Sequence, residues 1–61
     1  MKLIDLMENF NENNNLWVYD NNKLVTFYDG RDAIDKIYND FEITNIRVIG
    51  YKTIAVDLKG V

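Results

Sequence analysis

The sequence predicts a two-layer α+β domain in the order helix, hairpin, helix, hairpin (αββαββ), with a four-stranded, mainly antiparallel sheet and both helices on one face. Three observations predict it. Apolar residues recur at helical spacing over residues 2–10; two pairs of β-branched and aromatic segments follow, each pair joined by a short turn sequence; and residues 29–41, between the pairs, return to helical spacing. At 61 residues the chain is a single domain, 1–61. So short a chain buries little apolar surface for each residue it orders, so a partner or self-association is expected to add stability.

Leu3, Leu6, Met7 and Phe10 stand at i, i+3, i+4 and i+7, one stripe of an amphipathic helix from Lys2 to Phe10 with Asp5, Glu8 and Asn9 pointing away. The tract Asn11-Glu12-Asn13-Asn14-Asn15 ends it, because Asn competes for nearby backbone hydrogen bonds and favours turns. Leu16–Asp20 and Lys23–Tyr28 then read as a hairpin, with Asn21 and Asn22 supplying the positive φ of a type I′ turn. That loop pairs Leu16 with Phe27, Trp17 with Thr26, Val18 with Val25 and Tyr19 with Leu24. Leu16, Val18, Val25 and Phe27 are the expected core face, and Trp17, Tyr19, Leu24, Thr26 and Tyr28 the opposite one.

Asp29-Gly30-Arg31-Asp32 reads as a turn into the second helix, with Asp29 as N-cap and Ala33, Ile34, Ile37, Tyr38 and Phe41 as its apolar stripe. Ile43–Ile49 and Thr53–Leu58 form the second hairpin about the loop Gly50-Tyr51-Lys52. Pairing Ile49 with Thr53 turns Val48, Ile54, Ile46, Val56, Thr44 and Leu58 inward, and Asn45, Arg47, Ile49, Thr53, Ala55 and Asp57 outward. Lys59-Gly60-Val61 is expected to fray. Periodicity leaves strand order open, including a parallel pairing between the hairpins.

Composition excludes more than it selects. The chain has no Cys, His or Ser, which removes disulfides, thiolate and imidazole metal sites, Ser-His triads and thiol nucleophiles; no catalytic, cofactor-binding or metal-binding residues are expected, and no enzyme. The absence of Cys fits a reducing compartment, and no apolar run approaches a membrane span or a signal peptide, so a cytoplasmic protein without a membrane partner is expected. Ten acidic residues against seven basic ones, formal charge −3, disfavour direct nucleic-acid binding. Asn11, Glu12, Asn13 and Asp20 lack the ordered spacing of a calcium loop.

Two features point to a partner protein. Trp17, Tyr19, Leu24, Tyr28 and Ile49, with Tyr51 at a loop tip, leave an apolar outer face if both helices cover the other side, and Trp and Tyr are interface hot-spot residues. Asp20, Asp29 and Asp32, in a series continued by Asp35, Asp40 and Glu42, can speed encounter with a basic surface. The expected partner-binding set is therefore Trp17, Tyr19, Asp20, Leu24, Tyr28, Asp29, Asp32 and Tyr51. The same aromatic face serves a homodimer, and Arg31, Lys36, Arg47 and Lys52, if they meet at a subunit interface, can hold a nucleotide.

The opening MKLIDLMENF, the hairpin WVYDNNKLV, the YDG turn and the closing IRVIGYKTIAVDL, with abundant Asn, Ile, Asp and Lys, resemble the short uncharacterised proteins encoded by phages and mobile elements of low-GC Gram-positive bacteria. The resemblance covers nearly all of the chain. Such products include anti-CRISPR proteins and other anti-defence inhibitors. The resemblance implies a small, acidic, non-enzymatic inhibitor that occupies a site on a bacterial defence or nucleic-acid-handling protein inside the host cell.

Overall fold

The computed structural model describes residues 1–59 and contains one α-helix, α1 (Leu3–Glu8), and four strands, β1 (Asn15–Asp20), β2 (Lys23–Tyr28), β3 (Glu42–Gly50) and β4 (Thr53–Lys59). Gly60 and Val61, part of the tail expected to fray, lie outside the described residues, while Lys59 belongs to β4. The strands form one sheet in the order β2-β1-β4-β3. Each hairpin is antiparallel, but β1 and β4 pair in parallel at the centre, from Asn15 opposite Thr53 to Asp20 opposite Leu58. The sheet is thus mixed, and the expectation of two helices over a mainly antiparallel sheet is corrected to one short helix over a mixed sheet.

The missing second helix has a geometric cause. With β1 and β4 parallel, the chain leaving β2 at one edge must reach the start of β3 at the other. That displacement is about 16 Å along the strands and about 14 Å across three strand spacings, about 21 Å on the diagonal before the chain climbs over the core. Fourteen helical steps advance about 21 Å, which leaves no length for that climb or for a turn at either end. The crossover therefore runs as an irregular path of bends and turns, with a single 3-10 turn at Lys36–Tyr38.

Its polar residues hold that irregular path. Asp29 Oδ1 accepts from the backbone N–H groups of Arg31 and Asp32, both at 3.0 Å, so Asp29 closes a turn rather than capping a helix. Gly30 sits in this turn at φ +92°, a conformation L side chains rarely adopt. Asp35 Oδ1 accepts from Ile37 N–H at 3.1 Å, and the N–H of Asp35 donates to the Thr26 hydroxyl at 3.0 Å, pinning the crossover to β2.

The end of the crossover in turn supports α1. The N–H of Leu3 donates to the carbonyl of Phe41 and that of Ile4 to the carbonyl of Asn39, each at 3.0 Å, which satisfies two donors that a helix N-terminus leaves open. The Asp5 carboxylate accepts from Lys2 N–H at 3.0 Å, taking another. The helix is shorter than the predicted Lys2–Phe10, but its stripe faces the core as expected: Leu3 is fully buried, and Leu6, Met7 and Phe10 pack against the cluster of Leu3, Leu16, Val18, Val56 and Leu58. Every buried sheet residue belongs to β1 or β4.

Turn chemistry at the hairpins differs in quality. Asn21 and Asn22 take φ 57° and 64°, the predicted type I′ turn. At the second hairpin Gly50 is the last residue of β3 and the positive φ, 56°, falls on Lys52. Replacing Lys52 with Gly should therefore raise the unfolding free energy, by up to about 1 kcal/mol, because a β-carbon is disfavoured there. Leu3→Ala should lower it by about 2–5 kcal/mol, enough to unfold much of the population, whereas Val48→Ala, at a residue 81% exposed, should change it by less than about 0.5 kcal/mol. Urea unfolding followed by Trp17 fluorescence measures all three.

Candidate functional site

The face of the sheet opposite α1 is built row by row from the strand register. Phe27, Trp17, Ala55 and Arg47 form one row across β2, β1, β4 and β3, and Leu24, Tyr19, Asp57 and Asn45 form the next. Trp17, Leu24 and Phe27 are 37%, 42% and 36% exposed, whereas Ala55 is fully buried beneath its neighbours in the row. Its small side chain leaves space through which Arg47 reaches across β4: the guanidinium lies 5.3 Å from the centre of the Tyr19 ring and donates to Asp57 Oδ1 at 3.0 Å. Both partners of this ion pair are partly exposed, so the pair orients Arg47 more than it stabilises the fold.

One residue decides which aromatic side chains belong to this face. The β1–β2 ladder pairs Tyr19 with Leu24 but Val18 with Thr26, so Val25 is an extra residue, a β-bulge. The bulge shifts the register by one beyond the turn and reverses the expected faces: Phe27 points outward, while Thr26 and Tyr28 point inward. Tyr28 meets Phe10 edge to face at 6.1 Å between ring centres, and its hydroxyl donates to the carbonyl of Glu12 at 3.2 Å. Tyr28 is thus a core and loop-anchoring residue, and Phe27, assigned to the core by the unbulged pairing, takes its place on the outer face.

The remaining predicted residues separate. Asp20 stands opposite Lys23 beside the first turn, Asp29 is engaged by its two amides, and Asp32 is exposed on the crossover near β2. Tyr51 is 88% exposed at the tip of the second hairpin, with Lys52 Nζ 5.4 Å from its ring centre. Ile49 falls in a second bulge of β3, between Val48 and Gly50, and Thr44 in a first, so Ile43 rather than Thr44 opposes Leu58. Among the described residues no three acidic side chains converge. Arg31 follows β2 at one edge of the sheet, while Arg47 and Lys52 lie on or next to β3 at the other, so one chain does not gather the basic groups.

What the structure collects in one place is therefore Trp17, Tyr19, Leu24, Phe27 and Arg47. No helix among the described residues is long and apolar enough to cross a membrane. No family model, curated protein or solved structure matches the chain.

The amides on Asp29 hold its carboxyl below the ordinary carboxylate value, chiefly through the hydrogen bond from Asp32 and then that from Arg31. A carboxylate whose folded pKa is depressed stabilises the fold above its unfolded value, near about pH 3.9, and loses that contribution as pH falls through the folded value. The stability gap between wild type and Asp29→Ala should accordingly be widest above about pH 4 and narrow in stronger acid. Thermal melts across that range, with an NMR titration of the Asp29 carboxyl, read both.

Proposed function

We propose that this chain is a protein-binding module without catalytic activity, which acts by seating its bare sheet face on a larger protein. The observation that carries the reading is the contiguous row of Phe27, Trp17 and Arg47, joined by Tyr19 and Leu24, on a face that α1 and the crossover leave uncovered. Trp, Tyr and Arg supply most hot-spot energy in protein interfaces, and rigid strands hold these side chains at little further entropic cost. Arg47 is already oriented by Tyr19 and Asp57.

The occupied protein is, in this proposal, a bacterial defence or nucleic-acid-handling protein, and the chain is an anti-defence inhibitor inside the host cell. The support is the phage-like layout of the sequence and a formal charge of −3, which favours approach to the basic surfaces such targets carry. Expression of the chain should then relieve CRISPR interference against a targeted plasmid. Trp17→Ala combined with Phe27→Ala should abolish relief while the protein still melts cooperatively, since hot-spot truncations cost about 2 kcal/mol or more each. Light scattering over a range of concentrations separates the rival use of the same face: a dimer that Trp17→Ala dissociates assigns the row to self-association instead.

A further inference from the structure

The two edges of the sheet are treated differently. At β3, the N-terminal segment pairs with the start of the strand, Lys2 bridging Glu42 and Ile43 N–H donating to the carbonyl of Met1 at 2.8 Å, and two bulges and Arg47 interrupt the rest. Such features discourage another strand from adding to an edge. At β2 a single bulge, at Val25, interrupts the edge, no terminal segment pairs with it, no backbone group of Leu24–Phe27 bonds to any described residue outside the β1–β2 ladder, and none of those four residues is charged.

A groove of about 310 Å³ runs beside that edge, lined by Leu24, Val25, Thr26 and Phe27 on one side and Asp32 and Ala33 on the other. Alternate residues of a strand point to opposite faces, so four consecutive residues share one groove only where it follows the strand's edge. The far wall contributes a single charge. Asp29 and Asp35, the neighbouring carboxylates, accept backbone hydrogen bonds, whereas the Asp32 carboxylate accepts none among the described residues. The groove therefore offers a row of backbone donors and acceptors on one side and an unengaged carboxylate on the other.

We propose that this groove is a strand-docking site, taking an extended segment of a partner protein that pairs with β2 and sets a Lys or Arg beside Asp32. Main-chain hydrogen bonds supply the affinity in this mode, and the carboxylate supplies the choice of segment. The site extends the protein-binding reading to a second element, yet none of its lining residues except Leu24 and Phe27 belongs to the bare face, and Trp17 is outside it.

The probe is a blocked seven-residue peptide alternating Thr and Val with one central Arg, titrated into the isotope-labelled chain. Saturable amide shifts confined to Leu24–Phe27 and Asp32–Ala33 are expected, with affinity weakened about three- to tenfold by Asp32→Asn and to a similar extent by replacing the peptide's Arg with Gln. A peptide N-methylated along one edge should fail to bind, which separates strand pairing from apolar adsorption. Trp17→Ala should leave the titration unchanged, so failure here and failure of the bare face are distinguishable. Three results overturn the proposal: no saturation at millimolar peptide, shifts that spread equally to β3, or concentration-dependent shifts of the same amides without peptide, which would make a second copy the occupant.

Discussion

Parallel pairing of β1 with β4 places side by side the two strands that carry every buried residue of the sheet, and it sends the chain between the hairpins across the full width of the sheet. The core consequence is direct. Leu16 and Val18 from one strand meet Val56 and Leu58 from the other, and all four are buried, while neither edge strand contributes a buried residue. The crossover consequence is that a segment with helical spacing of apolar residues has no spare length to be one continuous helix and still climb over the core. Ile34, Tyr38 and Phe41 still pack against the core, but from bends and one 3-10 turn. Its carbonyls then cap α1, so the one helix depends on the same central pairing.

With the inner layer formed by a short helix and an irregular crossover, little remains to cover the other face. The Val25 bulge adds to what that face exposes by turning Phe27 outward and Tyr28 inward. The exchange is chemically apt: the tyrosine has a hydroxyl, which finds the Glu12 carbonyl, and the phenylalanine has no polar atom left without a partner on either side. Ala55 has a related role. A larger residue there would block Arg47 from Tyr19, so the smallest side chain in the row decides the orientation of its only cation.

Much of this was legible in local sequence, and the failures have two physical origins, strand order and a bulge. The stripe Leu3, Leu6, Met7, Phe10, the Asn21-Asn22 turn, all four strands and the pairings Val48 with Ile54 and Ile46 with Val56 follow from periodicity and turn chemistry, which are properties of a few neighbouring residues. The absent second helix does not, because it is set by a non-local demand, and the inward Tyr28 does not, because it follows from a bulge inside its hairpin. Residues 33–41 carry a helical pattern that the span between opposite sheet edges overrides. The bulge at Val25 has no glycine to mark it. One clue to strand order was available: Ile54, Ala55 and Val56 are apolar on both faces, the pattern of a central strand rather than an edge. Trp17, Tyr19 and Leu24 of the expected partner-binding set share the bare face; Arg47, expected outward, meets Tyr19 only because β4 pairs with β1, and Phe27 joins through the Val25 bulge.

The size of the chain sharpens the argument that its uncovered face is used. A partner contact of ordinary extent covers roughly 800 Å² on each side. The surface of this chain is 4400 Å², so such a contact would take nearly a fifth of it. A domain this small cannot fill a second layer over its sheet and also keep the first, because surface falls more slowly than volume as chains shorten. An outer layer supplied by another protein solves both problems: it removes Trp17, Leu24 and Phe27 from water and adds apolar burial to a fold with only six buried hydrophobic residues among those described. The asymmetry of the edges points the same way, since the N-terminal segment pairs with β3, whereas β2, the strand that carries Leu24 and Phe27, has one bulge and no segment paired along its outer edge among the described residues.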